Sequence, residues 1–365
     1  MKKKGFQVLL RLLKKQEKLR ADAERKQGGK DLLKVKDRKS FLLWGTVVLL
    51  VLSLVLAGCS GRPAATGDGV TTEGSGNTQE ASPSPQGKEQ NRVMIQIKGS
   101  DSEVNLVQKL AEEFMADNPH VLIAVTGGGS GVGIAAIIDG TCDIANSSRP
   151  MKDKEIELAK ANGIEPVAVR FAVDGLAVIV NEKNPVRSLS IEEIGAIFRG
   201  EIKNWSEVGG QKAKINLYGR QSNSGTYVFF MESVLKADYS PEMKNMGGNA
   251  DIVEAVKSDV TGIGYVAIGY IKEGGTLRAG IKALEVSPEK GKPGVSPLEL
   301  ANITSGAYPI TRPLYQFTAG QPQGAIRDFI LFELSEKGQQ IIMDQGFYPL
   351  SEEDREFNKR SLKLN

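Results

Sequence analysis

The sequence predicts an α/β fold in two domains, and three observations carry that prediction. From residue 92 onward, apolar segments with the period of a strand alternate with segments of helical period, and the loops between them are built of Gly, Ser and Thr. One apolar run, residues 167–181, is longer than an average strand and reads as a crossover from one domain into the other. At 365 residues the chain has room for about two domains and a sizeable core. Such alternation implies a mainly parallel sheet covered on both faces, with ligands at the C-terminal ends of the strands.

The N-terminal quarter stands outside this pattern. Residues 1–40 hold 15 Lys and Arg against 5 Asp and Glu, a balance of +10 in a chain of net +3, so everything after them carries −7. The folded part lacks the basic face of a nucleic-acid binder, and no nucleic-acid partner is expected. Residues 41–59, "FLLWGTVVLLVLSLVLAGC", contain no charge and read as a membrane-inserting element with its basic side in the cytoplasm. Its last four residues, Leu56-Ala57-Gly58-Cys59, resemble the bacterial lipobox, so Cys59 is expected to be lipidated and to become the first mature residue. A retained single span is the alternative, and either tethers the remainder outside the membrane. The long basic lead has two explanations: a start at Val35, or a basic amphipathic run at residues 6–20 on the anionic inner leaflet. Residues 60–91 are rich in Ser, Gly, Thr and Pro and are expected to form a flexible tether.

The globular part begins with "RVMIQIKGS" (92–100), whose alternating Val93, Ile95 and Ile97 mark a strand. A helix over 104–119 ends at Pro119; a strand from 121 runs into glycines, followed by a helix over 132–140. A short strand in 142–150 ends in serines and precedes a charged helix over 153–163. After the crossover strand come a helix over 190–200, an exposed-looking "NWSEVGG" (204–210), a strand at 215–219 and a closing strand within 262–271. Helices around 324–334 and 337–346 are expected to return to the first domain.

Four loops share one chemistry: "KGSDSEVN" (98–105), "TGGGSGVG" (126–133), "ANSSRP" (145–150) and "GRQSNSGTY" (219–227). Each places hydroxyls, mostly beside glycine, just before a helix, where unpaired N–H groups carry partial positive charge. One such loop would be an ordinary N-cap. Four at the ends of an alternating sheet, with Arg220 offering a planar fork of donors, point to a small oxyanion. Other chemistries fit poorly. Gly131, Gly133 and Ala136 satisfy a dinucleotide pattern only within a glycine run, and no G-x-x-x-x-G-K-[ST] occurs. The single histidine, His120, sits in a helix-to-strand turn, which leaves a Ser-His-Asp enzyme and a metal cluster without their usual parts. A binding protein without cofactor, and not an enzyme, is expected.

The motifs "GSDS", "GGGS", "DIANSSR", "DGLAVIVN", "IFRGEIKNWSEVGG", "GRQSNSGT", "GIGYVAIGY", "RPLYQFT" and "GFYPL" occur in one order between about residues 93 and 350. In these the chain resembles the phosphate-binding lipoproteins of bacterial phosphate-specific ABC transporters, of the type II periplasmic-binding-protein superfamily. The resemblance implies a two-lobed fold, each lobe a mixed sheet flanked by helices, joined by two crossover strands; residues 92–173 and 272–365 would form lobe 1, and 174–271 lobe 2. It implies phosphate ligands at Ser102, with Ser100 nearby, at Ser130, and at Arg220, Ser224, Gly225 and Thr226. Ser148 and Arg149, also expected among the phosphate ligands, stand where the best-known members carry a proton-accepting aspartate. Asp101 and Asp174 remain as candidates for that acceptor, Asp101 being favoured because it lies between two loop serines. The implied protein is a monomeric, lipid-anchored receptor on the extracytoplasmic face, with inorganic phosphate and permease subunits as partners. Sulfate or another tetrahedral oxyanion, and a phosphate sensor or adhesion lipoprotein, are the alternatives.

Overall fold

A computed structural model describes residues 92–273 and 276–364. The basic segment, the apolar stretch with Cys59 and the tether lie outside these residues. Among the described residues no helix is long and apolar enough to cross a membrane.

The chain follows the expected alternation closely. Strand β1 (Val93–Gly99) leads through a 3-10 turn (Asp101–Glu103) into helix α1 (Val104–Asp117), which stops just before Pro119. Then come β2 (Val121–Thr126), α2 (Ser130–Ile138), β3 (Ile144–Ser147), α3 (Asp153–Ala161) and the long β4 (Val167–Asn181). The second half contributes α4 (Ile191–Arg199), β5 (Asn216–Arg220), α5 (Gly225–Phe230), β6 (Lys244–Met246), α6 (Asn249–Ser258), β7 (Gly262–Ala267) and β8 (Ile281–Ala283). The chain ends with β9 (Thr311–Thr318), α7 (Gly324–Leu334), α8 (Glu336–Asp344) and α9 (Glu352–Leu362).

Nine strands form one mixed sheet in the order β2-β1-β3-β9-β4-β7-β5-β6, with β8 pairing on β4. The type II two-lobed pattern is visible in the pairing. Strands β1, β2 and β3 are parallel, as are β5, β6 and β7, while β9 and β4 run antiparallel between these groups. The sheet is therefore more mixed than alternation alone suggests, because the chain crosses over on β4 and returns on β9. The N-terminal part of β4, residues 167–175, pairs with β9, and residues 176–180 pair with β7. Strand β4 thus changes partner at Gly175–Leu176.

Local sequence explains the helices. Ser190 accepts from Glu193 N while the Glu193 carboxylate accepts from Ser190 N, a reciprocal cap that starts α4, and Gly200 ends it in the left-handed region. Helix α1 buries Leu106, Leu110 and Phe114, and the Phe114 ring meets Phe329 of α7 edge-on at 5.4 Å. On the other side Phe230 of α5 stacks on Tyr265 of β7 at 4.0 Å. One sequence expectation holds only in part: Ser206, Glu207 and Gly209 of "NWSEVGG" are exposed, but Trp205 is fully buried and its indole N–H donates to Thr261 O at 2.9 Å. The polar neighbours hide this anchor because they cap its own 3-10 turn, with Asn204 Oδ1 accepting from Ser206 N.

Gly99 carries the chain from β1 into the first of the four loops at φ +138°, and a Cβ there would lie 2.1 Å from Asn146 O of β3. Gly99→Ala is expected to destabilise the fold by about 2–4 kcal/mol through forced backbone separation of β1 and β3. A thermal melt checks this, and an unchanged midpoint would show that the two strands can part freely.

Candidate functional site

The four serine-rich loops meet where β4 changes partner. Ser102 Oγ and Thr226 Oγ1 are 2.8 Å apart, although 124 residues separate them. Ser130 Oγ accepts from Ser148 N at 3.0 Å and lies 3.3 Å from Ser148 Oγ. A Cβ on Gly225 would stand 2.3 Å from Ser130 Oγ and 2.7 Å from Ser148 Oγ, so only glycine lets the start of α5 come this close. Asn223 links the same two loops, its O accepting from Gly131 N and its Nδ2 donating to Gly128 O, both at 3.0 Å. Ser100, Ser102, Ser130, Ser148, Arg220, Ser224 and Thr226 are all buried.

Helix starts aim donors at this point. Helix α2 begins at Ser130 and α5 at Gly225, so the N–H groups of their first turns have no intrahelical acceptors. Ser224 caps α5, its Oγ accepting from Tyr227 N, so Ser224 also serves as a helix cap. Behind α5, the stacked Phe230 and Tyr265 rings are buried and fix the direction of the helix.

Arg220 ends β5 with 2 % of its side chain exposed. Its Nη1 donates to Asp101 Oδ2 at 3.0 Å and its Nη2 to Gly247 O at 3.2 Å, while its buried Nε has no partner among the described residues. Burial lowers the Arg220 guanidinium from its ordinary value, and the Asp101 carboxylate opposes that shift. Asp101 Oδ2 also accepts from Asn249 N at 2.8 Å and Asn249 Nδ2 at 2.7 Å, at the start of α6, and Tyr270 Oη donates to Asp101 O at 2.6 Å.

The sequence reading did not single out the residue that ties these loops together. Arg312 of β9 sits directly opposite Asp174 of β4 in the antiparallel ladder, and both are buried. Arg312 Nε and Nη2 donate to Asp174 Oδ2 at 3.1 and 2.8 Å. Nη2 also donates to Thr226 Oγ1 at 2.9 Å and reaches Ser102 Oγ at 3.5 Å, and Nη1 donates to Ser148 O at 3.1 Å. One guanidinium therefore touches three of the four loops. Its trace in the sequence is a pair of opposite charges, each alone in an apolar strand, "FAVDGLAVIV" and "TRPLYQF". Charges inside apolar strands need each other.

Asn249 is a second such residue, since its amide bridges Asp101 and Ser102 from α6. Arg149, by contrast, is not brought into the cluster. Its guanidinium turns to α3, making two 2.7 Å bonds to Glu155 and one of 2.9 Å to Pro150 O. Burial pushes the Glu155 carboxyl up, but the Arg149 bonds and the Lys152 N–H outweigh it and hold it below its usual range. The sequence places Arg149 next to Ser148, yet a strand end sends neighbouring side chains to opposite sides.

Two buried guanidinium groups, four hydroxyls and two helix starts thus face one point at the strand C-terminal ends. Over residues 71–337 the sequence matches the family described as PBP superfamily domain. It is 34% identical over 270 residues to Phosphate-binding protein PstS of Pseudomonas aeruginosa, covering 69% of this chain and 81% of that protein. To Phosphate-binding protein PstS of Bacillus subtilis it is 33% identical over 305 residues, covering 83% and 94%. The chain belongs to this family. Among solved structures, an ABC transporter substrate-binding protein from Clostridium perfringens with bound phosphate is similar, with a TM-score of 0.62 and 28% identity over 71% of this chain and 100% of that one. Membership accounts for the type II fold and for the order of the motifs, while the Arg312–Asp174 pair and its bonds are read from this chain's own geometry.

Arg312→Met would leave Asp174 buried without its partner, at an expected cost of about 3–5 kcal/mol in urea unfolding. The double substitution Arg312→Met, Asp174→Asn should recover more than half of that loss. If the single and double variants are equally destabilised, the pair is not coupled in the way its geometry requires.

Proposed function

We propose that the chain is the extracytoplasmic receptor of an ABC transporter, capturing inorganic phosphate where the two halves of the sheet meet and delivering it to the permease subunits. The observation that carries this reading is the convergence of buried Arg220 and Arg312 with the hydroxyls of Ser102, Ser130, Ser148 and Thr226. The printed names of the similar proteins, phosphate-binding in each curated case and phosphate-bound in the solved one, support the choice of anion. Hinged on β4 and β9, the two lobes would be residues 92–175 with 311–364, and residues 176–310; the segment 272–310, expected from the sequence in the first lobe, falls with the second because 281–283 pair with 179–181 and 285–287 with 188–190. Ser100, Asp101, Ser102, Ser130, Ser148, Arg220, Ser224, Gly225 and Thr226 would line the anion, Arg149 acting from outside through α3. The protein would work as a monomer held to the membrane by lipid on Cys59, with no catalytic step and no cofactor.

The chemistry is that of a compact oxyanion held by fixed donors. Phosphate has five heavy atoms, and at roughly 1.5 kcal/mol per atom the ceiling is about 7.5 kcal/mol, which places affinity near the micromolar level. The contacts are buried and short-ranged, so added salt should weaken binding only modestly.

Asp101 would be the residue that chooses between phosphate and sulfate. Its Oδ2 takes three donors, from Arg220 and twice from Asn249, and its Oδ1 takes none of them. An acceptor facing the anion is satisfied by a protonated phosphate oxygen, whereas sulfate at neutral pH has no proton to give and would leave it unpaired. Asp174 is less suited, because both its oxygens are already taken by Arg312 and Ile268 N.

Calorimetric titration of the full chain in detergent tests the reading. Wild type should bind phosphate and reject sulfate, and Arg220→Ala should lose about 100-fold in phosphate affinity. Sulfate binding as tight as phosphate would move the protein to another oxyanion, and no binding of either would point to a different role for the cleft. Asp101→Asn is expected to raise sulfate affinity relative to phosphate; unchanged selectivity in competition titrations would remove Asp101 from that role.

A further inference from the structure

Beside Ser100 of the proposed anion site lies a group of buried polar side chains outside that site. Glu103, the last residue of the 3-10 turn, is 0% exposed, and neither carboxyl oxygen has a hydrogen-bond partner among the described residues. Glu333 of α7 is also 0% exposed; its Oε1 accepts from Gln316 Nε2 at 3.1 Å, and its Oε2 is unpartnered. Gln316 and Asn146 face each other across β9 and β3, joined at 3.3 Å, and Gln316 Oε1, Asn146 Nδ2 and Ser100 Oγ are buried and unpartnered as well. Four of these six atoms are carboxyl or carbonyl oxygens, which accept but do not donate when the acids are ionised. Protons on the two acids would supply the donors the cluster lacks, and an acid kept out of water favours its neutral form.

The position of Glu103 gives its charge state a consequence. The charges that reach it are those of Arg312 of β9, Asp174 of β4, Tyr270 beyond β7 and Glu333 of α7; the Ser100 hydroxyl also acts on it, without a formed hydrogen bond. In the cleft, Arg220 and Arg312 are matched by Asp101 and Asp174. The four charges cancel, and an ionised Glu103 would tip the surroundings of the anion to net negative. Burial pushes the Glu103 carboxyl well above its usual range, and it does the same for Glu333, whose repulsion by Glu103 adds to the effect. Arg312 and Ser100 pull Glu103 the other way and do not overcome burial.

We propose that Glu103 works as a neutral acid beside the first loop and keeps the cleft's charges balanced, so that its ionisation sets an alkaline limit on anion binding. This inference rests on the phosphate reading. The sign follows from linkage. A group whose folded-state affinity for protons is raised stabilises most below the ordinary carboxyl value, and that contribution is lost as the pH rises through the folded-state value. Ionisation also opposes the bound anion, so affinity and stability decline together on the alkaline side.

The test is phosphate titration of the full chain in detergent, wild type against Glu103→Gln, from pH 6 to pH 9.5. Glutamine is neutral and keeps a donor and an acceptor, and the ligand's own ionisation is common to both proteins, so the ratio of affinities isolates the carboxyl. The ratio of Glu103→Gln to wild type is expected near one at pH 6 and at least about fivefold higher at pH 9.5. A ratio that stays constant with pH overturns the proposal. Should Glu103→Gln not fold, Glu333→Gln takes its place: removing the neighbouring acid removes its repulsion and must move the alkaline loss to lower pH, and an unmoved profile overturns the proposal. If wild type binds no phosphate at any pH, the functional reading itself fails and this inference goes with it.

Discussion

The Arg312–Asp174 pair is the interaction on which the cleft depends. The two residues oppose each other in the β9–β4 ladder, on the two strands that join the halves of the sheet, and both are out of contact with water. Burying two charges together is seldom a gain in stability, since desolvation consumes most of the attraction. What the pair contributes is placement. Asp174 fixes the guanidinium by two bonds, and the remaining donors then reach Ser148 O, Thr226 and Ser102, while Asp174 Oδ1 takes Ile268 N at the end of β7. Loops from the β1, β3 and β5 ends are thereby referred to one rigid point.

That point coincides with the change of partner on β4. Up to Gly175 the strand belongs with β9, and from Leu176 with β7. A sheet that changes partner leaves a crevice outside its strand ends, where helix starts converge with their N–H groups forward. The glycines then set how near the two sides come: Gly225 admits Ser130 and Ser148 against the first turn of α5, and Gly99 lets β1 pass close to β3. Fixed donors of this kind need no rearrangement to meet an anion, so little of their binding energy is spent on ordering.

The sequence made the loops legible and left the strands' contribution hidden. Hydroxyls and glycine before a helix are a local pattern, so Ser102, Ser130, Ser148 and Gly225–Thr226 could be found without a fold. The crossover strand 167–181 is also visible, from its length and mostly apolar character. Arg312 was not, because its role depends on a register between segments 138 residues apart, and spacing along the chain carries no information about that. The same limit misplaced Arg149. It neighbours Ser148 in sequence, but the chain turns after β3 toward α3, where Glu155 is the nearer partner. Trp205 was hidden for a different reason, since polar residues that cap a turn look like solvent-facing ones when only composition is read.

In the proposed reading, Asp101 would bind affinity and selectivity to one another in this cleft. A carboxylate beside an anion site is repulsive unless something neutralises it, and here Arg220 and the start of α6 do so on Oδ2. The same bonds hold the carboxylate in place, leaving Oδ1 oriented by a group that is already committed. Removing the acceptor would therefore relieve repulsion and also release Arg220, so the cleft would attract oxyanions more broadly. A site that must both attract charge and refuse the wrong anion would need such a tethered acceptor, and in the proposed reading Asp101 of the first loop would carry that burden, Ser148 standing in the third.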